Sequence, residues 1–242
     1  MRLKNKVCLI TGSSSGIGES IARSFEKEGA KVIITYNSNR KNASKVANSL
    51  KTDFFQLDVK NKKSVFNVFK KVNKKFKKID VVINNAGINI TNEFDKISEK
   101  DWDLVLDTNL KGVFFCCQAA IKYMKTKGKI INIGSLSGEY GGPRTPSYAA
   151  AKAGVMSLTH CLARFLGHKG INVNCLSPGV IANDFTEKTM SKKVKKFAKS
   201  MLLLKRFGKL EDLNGMAIYL ASNESDYVTG QTFSINGGAW VR

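Results

Sequence analysis

Short apolar segments alternate with longer amphipathic segments along most of the chain. The apolar segments are rich in Val and Ile and are apolar at consecutive positions, as is typical of strands covered on both faces. They are residues 7–11, 32–36, 54–58, 81–84, 129–134, 171–177 and 232–236. Strands that alternate with helices predict a parallel sheet whose strands are joined by right-handed crossovers.

The amphipathic segments between these strands predict helices. Residues 61–78 carry apolar side chains at three- to four-residue spacing, which gives one apolar face and one lysine face. Helices are also predicted at residues 17–28, 98–125, 147–167 and 210–221. Because no linker or repeat divides the chain, we expect an α/β fold: a single doubly wound domain over residues 1–242. A small helical insertion on the substrate side is predicted at about residues 182–208.

Composition narrows the class of protein. The 242 residues are 43% apolar, which suits a buried core and excludes a disordered chain. The five cysteines are odd in number and lie in apolar segments, so we expect reduced core cysteines and a cytoplasmic protein. His160 and His168 have no nearby cysteine pair, so no metal site is expected. No apolar run reaches the roughly 18 residues of a membrane span, so no membrane association is expected.

The first predicted strand ends in a glycine-rich turn, T-G-S-S-S-G-I-G at residues 11–18. Glycines there allow a tight turn and let backbone N–H groups approach a pyrophosphate at a helix N-terminus. Such turns also occur without a ligand, but the position between the first strand and the first helix favours a dinucleotide. The candidate cofactor contacts are Gly12, Ser14, Ser15, Gly16, Ile17 and Gly18.

The residues at the end of the second strand indicate whether NAD or NADP(H) is bound. An NAD site has Asp or Glu there to bind the ribose 2′-hydroxyl, and no acid occurs before Asp53. Asn37, Ser38 and Arg40 stand there instead and could receive a 2′-phosphate. Arg40 and Lys41 could also be a solvated loop, but the missing acid favours NADP(H).

Further candidates follow the third and fourth strands. Ligands of open parallel sheets bind at the carboxyl ends of the strands, although Asn and Gly are also ordinary turn residues. The candidate cofactor contacts there are Asp58, Val59, Asn85, Ala86 and Gly87.

Three residues on and after the fifth strand suggest acid–base chemistry. Ser135 ends that strand, and Tyr148 and Lys152 lie four residues apart on the next predicted helix. Side chains at this spacing share one face, so the ammonium would favour the phenolate form of Tyr148, which suits a proton donor to a carbonyl. The spacing alone is common; its combination with the glycine turn and Ser135 supports the prediction.

These motifs together resemble the short-chain dehydrogenase/reductase family over essentially the whole chain. Further matches are Asn109 within D-T-N-L-K-G-V-F, the S-P-G of residues 177–179 and the I-N-G-G of residues 235–238. The resemblance implies a Rossmann-like domain, with a seven-stranded parallel sheet and helices on both faces, and a catalytic tetrad. Tyr148 would donate the proton, and Ser135 would hydrogen-bond the carbonyl oxygen.

The resemblance implies the remaining roles as well. Lys152 would bind the nicotinamide ribose, as would Tyr148, and Asn109 would hold a water that relays protons. Pro178, Gly179 and Ile181 would lie beside the nicotinamide.

Within the family, residues 102–120 and 148–155 are most similar to 3-oxoacyl-(acyl-carrier-protein) reductases of fatty acid synthesis. This implies an acyl carrier protein thioester as substrate and a homotetramer. Ser15 replaces an arginine usual in those reductases, and R-T-P-S at residues 144–147 replaces their G-Q-A-N beside the substrate. Reduction of a sugar, a polyol or a small ketone therefore stays open.

The net charge of +21 raises the question of an acidic partner. Residues 60–78 and 188–209 each hold nine basic residues and no acid. No nucleic acid is expected, because no docking motif occurs and the aromatics of 60–78 fall on the apolar stripe. A non-catalytic nucleic-acid-binding or dinucleotide-sensing protein is the remote alternative. Basic residues at the site mouth could steer an acidic carrier, and the candidates are Lys125, Lys127, Lys129 and Lys169.

Overall fold

A computed structural model describes residues 1–142, 144–182, 186 and 191–241. Among these residues, seven strands form one parallel sheet in the order β3-β2-β1-β4-β5-β6-β7. The strands are β1 (Val7–Ile10), β2 (Lys31–Tyr36), β3 (Phe54–Gln56), β4 (Val81–Asn84), β5 (Lys129–Ile133), β6 (Asn172–Pro178) and β7 (Thr232–Ile235). All seven predicted strands are confirmed, as is the parallel sheet.

Helices connect the strands. They are α1 (Gly16–Lys27), α2 (Arg40–Ser49), α3 (Lys62–Phe76), α4 (Glu99–Leu106), α5 (Gly112–Tyr123), α6 (Ser137–Tyr140), α7 (Pro146–Leu166), α8 (Lys192–Met201) and α9 (Asn214–Ala221). The helix predicted at residues 98–125 consists of α4 and α5, joined by a π-helical turn at Asp107–Lys111. The helix predicted at 210–221 begins as a 3-10 turn, Leu210–Leu213.

Helix α2 was not predicted, because Arg40 and Lys41 were placed in a loop. Asn39 caps this helix: its side chain accepts a hydrogen bond from the backbone N–H of Asn42 at 3.0 Å. The buried face of α2 is only Ala43, Val46 and Ala47, so its apolar pattern is too small to stand out.

The strand order reverses between β1 and β4, and this reversal creates the crevice for a ligand. From β1 the chain builds outward through β2 and β3, and from β4 it builds the other way through β5, β6 and β7. The carboxyl ends of β1 and β4 therefore border the crevice where ligands of such sheets bind. Phe25 of α1 and Phe69 of α3 are fully buried in two separate core clusters.

Four cysteines are buried as expected: Cys8, Cys116, Cys117 and Cys175. Burial raises the pKa of the Cys117 thiol to about 12. Cys161 is exposed on α7, so for this residue the prediction of a core cysteine was wrong. The outer face of α7 is itself apolar, and sequence pattern does not separate it from the core face.

Among the described residues, one helical stretch, Glu99–Tyr123, is long and apolar enough to cross a membrane. Half of its apolar window is buried, because α5 packs on α3 and α4 packs on α7. The described part of the chain brings no three His, Cys, Asp or Glu side chains together as a metal site.

Candidate active site

The glycine turn after β1 leaves the N-terminus of α1 open to a ligand. Gly12 and Gly16 have φ angles of +62° and +58°, a left-handed backbone that favours glycine. A Cβ on Gly16 would meet none of the described atoms within 4 Å. Within the described residues, Ser15 makes no side-chain hydrogen bond that caps α1. The first N–H groups of the helix therefore suit the pyrophosphate of a dinucleotide.

Thr11 joins this turn to the end of β4. Its hydroxyl oxygen accepts hydrogen bonds from the backbone N–H groups of Asn85 and Ala86, both at 2.9 Å. The Asn85 side chain donates to the carbonyl oxygens of Thr11 and Gly12 at 2.9 and 3.1 Å. The glycine turn and the residues after β4, which these hydrogen bonds join across 73 to 75 residues of sequence, thus form one cluster. Sequence reasoning gave Thr11 no role of its own; the available signal was a hydroxyl at the end of a buried strand.

The residues after β2 lie on the open side of the same turn. Asn37, Ser38 and Arg40 are exposed at the start of α2. The side chain of Asn42 donates a hydrogen bond to the carbonyl oxygen of Ser14, which fixes α2 against the turn. Contact of Arg40 with a 2′-phosphate stays a prediction.

The remaining predicted cofactor contacts also follow strand ends. Asp58 and Val59 come after β3. Val59 packs closely against α5, since a Cβ on Gly112 would lie 2.8 Å from its side chain. Pro178 ends β6, and the N–H of Gly179 donates to the carbonyl oxygen of Ile235 on β7 at 2.9 Å. Ile181 follows, buried, in the same loop. The sheet thus carries all the predicted contacts along its carboxyl edge, and their roles stay predictions.

Tyr148 and Lys152 lie one turn apart near the start of α7. The ammonium Nζ of Lys152 is 5.6 Å from the centre of the Tyr148 ring, so the predicted pairing on one face is confirmed. Nζ also donates a hydrogen bond of 2.6 Å to the carbonyl oxygen of Ile133 at the end of β5. Lys152 is buried, so its charge acts on the phenol with little screening by water.

Ser135 follows β5 and faces the same region. Its hydroxyl oxygen accepts a hydrogen bond of 3.2 Å from the backbone N–H of Ser137, so its own proton remains available to a carbonyl oxygen. Helix α6 packs so closely on α7 that a Cβ on Gly138 would lie 2.7 Å from the carbonyl carbon of Lys152. This contact keeps the Ser135 segment beside the Lys152 turn of α7.

Asn109 lies buried on the π-helical turn between α4 and α5. Its Oδ1 accepts from the backbone N–H of Ile88 at 2.8 Å, and its Nδ2 donates to the carbonyl oxygen of Ile88 at 2.7 Å. A Cβ on Gly87 would lie 3.0 Å from that Oδ1. Asn109 therefore holds the loop after β4 in place. The relay water that the resemblance implies stays a prediction.

Glu139 of α6 is a residue that sequence reasoning missed. Its Oε1 accepts hydrogen bonds from the hydroxyls of Ser177 on β6 and Ser234 on β7, at 2.8 and 2.7 Å. The carboxylate therefore ties the segment after Ser135 to the ends of two strands. The available signal was a single acid in a stretch of glycines and serines directly after a strand.

Three of the lysines assigned to the site mouth lie at the other edge of the sheet. Lys125 and Lys127 precede β5, and Lys169 precedes β6, whereas Tyr148 comes after the carboxyl end of β5. Within one chain the prediction was therefore wrong. Helix α7 runs back along the sheet, so its last turn lies far from its first.

Lys129, the fourth of these lysines, is buried rather than exposed. Its Nζ donates hydrogen bonds to Asn172 Oδ1 at 2.9 Å and to Asp226 Oδ1 at 2.7 Å. Burial lowers the pKa of its ammonium, and the hydrogen bond to Asp226 opposes that shift. Lys129 is therefore a structural cation that joins the starts of β5 and β6 to the loop before β7.

Comparisons with known proteins agree with this geometry. The profile of a family described as enoyl-(acyl carrier protein) reductase matches residues 12–239. A 3-oxoacyl-(acyl-carrier-protein) reductase of Thermotoga maritima is 42% identical over 244 residues, covering 98% of this chain and 99% of the relative. The chain belongs to the short-chain dehydrogenase/reductase family. The predicted fold class and the predicted NAD(P)-dependent oxidoreductase are confirmed.

Further comparisons with a relative and with solved structures agree with this assignment. A 3-oxoacyl-(acyl-carrier-protein) reductase of Staphylococcus aureus is 40% identical, with 98% of both chains covered. A short-chain dehydrogenase of Burkholderia cenocepacia, solved in complex with NADP, has a TM-score of 0.93 and 30% identity over 99% of both chains. A blue fluorescent protein from a metagenomic library, solved with NADPH, has the same TM-score and identity over 100% of both. These complexes agree with the NADP(H) predicted from the sequence.

Proposed function

We propose that this protein is an NADPH-dependent reductase that converts 3-oxoacyl-(acyl-carrier-protein) to the 3-hydroxyacyl product in fatty acid synthesis. The observation that carries the proposal is the pairing of Tyr148 and Lys152 on one face of α7, against which α6 packs directly after Ser135, since such an arrangement could bind and protonate a carbonyl oxygen. The names of the most similar relatives support the 3-oxoacyl thioester. The missing acid after β2, the exposed Arg40 and the NADP-bound solved relatives support NADPH.

The chain's own groups have separate tasks in this proposal. NADPH, when bound, supplies the hydride. The N-terminus of α1 binds the pyrophosphate, and Ser135 donates a hydrogen bond to the substrate oxygen, which stabilises the charge that develops there. Tyr148 gives its proton to that oxygen, and Lys152 holds a positive charge beside the phenol.

Sugar or polyol oxidoreduction is the second candidate. Two similar solved structures at 28% identity are titled a putative gluconate dehydrogenase and a glucose/ribitol dehydrogenase. The segment R-T-P-S before Tyr148 departs from the carrier-dependent reductases and supports this alternative.

We also propose that the protein is a cytoplasmic homotetramer. Phe114 of α5 and Phe165 of α7 are 41% and 60% exposed, and a groove of about 540 Å³ lies between these helices. Large exposed apolar side chains of this kind favour association. Antiparallel pairing of α7 between two chains would bring Lys169 of one chain toward the start of α7 in the other.

The test is a substrate panel with the purified protein. NADPH oxidation is measured with acetoacetyl and crotonyl thioesters of acyl carrier protein, a small diketone and a sugar, and with NADH in place of NADPH. We expect the highest kcat/KM with the acetoacetyl thioester and NADPH. Faster turnover of the sugar or of the crotonyl thioester, which has a C=C bond in place of the 3-oxo group, would refute the proposal.

A further inference from the structure

Within the part of the chain that the structure describes, helix α8 buries none of its side chains. All ten of its residues are described. Val194, Phe197 and Met201 occupy one side of the helix and are 46%, 66% and 49% exposed. An ordinary surface helix instead buries its apolar stripe against the core, as α3 does with Val65, Val68, Phe69 and Val72.

The opposite side of α8 is a cationic face. The helix holds five lysines and no acidic residue. Lys192, Lys196 and Lys199, at i, i+4 and i+7, share one side and are exposed. At 1.5 Å per residue the helix is about 15 Å long, so these three ammonium groups span most of its length. We call them the α8 lysine face.

The segment that carries α8 leaves the sheet and returns to it at one point. Ile181 pairs with Gly208 in a parallel bridge, and the N–H of Gly208 donates to the carbonyl oxygen of Val180 at 3.0 Å. Further along, the N–H of Leu204 donates to the carbonyl oxygen of Gly237 at 3.1 Å. The segment is thus anchored to the loops after β6 and β7, beside the predicted nicotinamide contact Gly179. The segment that carries the α8 lysine face is therefore anchored at the carboxyl edge of the sheet, beside the candidate site.

We propose that the α8 lysine face is the docking surface for the acidic carrier protein that delivers the acyl thioester. This inference rests on the proposed function and adds to it the surface that the carrier touches. Its basis is charge complementarity: a carrier rich in carboxylates meets three aligned cations on a segment beside the site that its tethered substrate must enter.

Other occupants fit the observations less well. In a second copy of the chain docked face to face, the lysines of one α8 would oppose those of the other, which repel. An anionic lipid surface has the right charge, but the proposed reaction does not require a bilayer beside the site. Both occupants can be distinguished experimentally from the carrier.

The experiment compares two triple charge reversals. One is Lys192→Glu/Lys196→Glu/Lys199→Glu on α8. The matched control is Lys63→Glu/Lys70→Glu/Lys74→Glu on α3, where the lysines also share one exposed side and the net charge changes equally. Each protein is assayed with the acetoacetyl thioester of acyl carrier protein and with the acetoacetyl thioester of N-acetylcysteamine, which has the same reacting group and no protein.

We expect the α8 variant to lose about tenfold or more in kcat/KM for the carrier thioester at low salt. Its activity on the small thioester should stay within about twofold, and about 1 M salt should remove the difference from wild type. The α3 variant should match wild type on both substrates. The neutral variant Lys192→Gln/Lys196→Gln/Lys199→Gln should lie between wild type and the reversal.

Several outcomes would overturn the inference. Equal losses in the α8 and α3 variants would show that net charge alone matters, and no loss in the α8 variant would exclude this surface. Equal losses on both substrates would make α8 part of the fold or of the reacting site. A change of oligomeric state in size-exclusion chromatography would point to a second copy, and loss of binding to phosphatidylglycerol vesicles with intact carrier activity would point to lipid. A wild-type enzyme that reduces neither thioester would refute the proposed function itself.

Discussion

The position of Lys152 beside Tyr148 depends on a strand as well as on its own helix, α7. Its ammonium donates to the carbonyl oxygen at the end of β5, and that hydrogen bond fixes the position of the ammonium, while Tyr148 is only partly buried. In the proposed reaction the two side chains have different tasks. The Lys152 ammonium sets the electrostatics, and the Tyr148 phenol can contact a substrate. Ser135 completes the arrangement with a hydroxyl oriented by a backbone N–H.

Replacing Tyr148 with Phe tests directly whether the phenol supplies the proton. The change removes one hydroxyl and leaves the ring beside Lys152, so we expect kcat/KM to fall by about 10²- to 10⁴-fold, the usual contribution of a general acid. NADPH should still bind, as measured by fluorescence titration. Tyr140→Phe on α6 is the matched control and should keep wild-type activity. Normal turnover in pure Tyr148→Phe protein would show that another group supplies the proton.

The candidate catalytic residues could be proposed from the sequence because their types are rare in combination. A tyrosine and a lysine at i, i+4 after a strand that ends in serine stand out once the glycine turn is present. Thr11 and Glu139 could not be predicted in the same way. Each acts by a hydrogen bond to a residue far along the chain, and the sequence pattern of a hydroxyl or a carboxylate does not reveal its partner.

At the scale of elements, the contact between α6 and α7 holds the segment that follows Ser135 against the turn of α7 that carries Lys152. Helix α6 has only four residues and its own hydrogen bonds stabilise it weakly. Its position depends on the close approach at Gly138 and on the hydrogen bonds of Glu139 to the ends of β6 and β7.

Gly138→Ala should separate the two helices. The added methyl would overlap the backbone of Lys152, and overpacking of this kind costs about 1–3 kcal/mol. We expect a lower free energy of unfolding in urea and a kcat reduced by about tenfold or more, because Ser135 moves with α6. Gly215→Ala on α9 is the control, since a Cβ there meets none of the described atoms within 4 Å. It should be neutral or stabilise by up to about 1 kcal/mol, and a Gly138→Ala protein with the same behaviour would contradict the role of this contact.

The strands were predictable because each is a continuous apolar run buried on both faces. Helices α2 and α6 were not, because one has a small buried face and the other has only a single turn. The edge of the sheet on which a residue lies was predictable only for residues that directly follow a strand. The lysines near the end of α7 were assigned to the wrong edge, since proximity in sequence to a site-bearing helix does not say which end of it is near the site.

For the whole molecule, the charge of +21 acts on stability as well as on partners. Most of these cations lie on solvated helix faces, and a large net charge of one sign destabilises a compact chain through self-repulsion. Ion pairs such as Lys75 with Asp53 and Arg206 with Asp212 neutralise few of them.

Salt should therefore stabilise the protein. Between about 20 and about 200 mM salt the screening length falls to below about 10 Å, and repulsion between neighbouring helix faces weakens. If this recovers about 1 kcal/mol, Tm should rise by about 2–4 °C in a thermal unfolding experiment. Near the isoelectric point of about 9.8 the net charge vanishes, and the same salt should then have little effect. A Tm independent of salt at neutral pH would show that self-repulsion is negligible.

The bridge between Ile181 and Gly208 has a consequence for how enzymes of this architecture diversify. Because the intervening segment departs at Ile181 and rejoins through Leu204 and Gly208, the part between these anchors can change in length and sequence without altering the register of β6 and β7. Selection, or a protein engineer, can therefore exchange that segment as a module and redirect the enzyme to new substrates, while the chemistry of Tyr148, Lys152 and Ser135 is inherited unchanged.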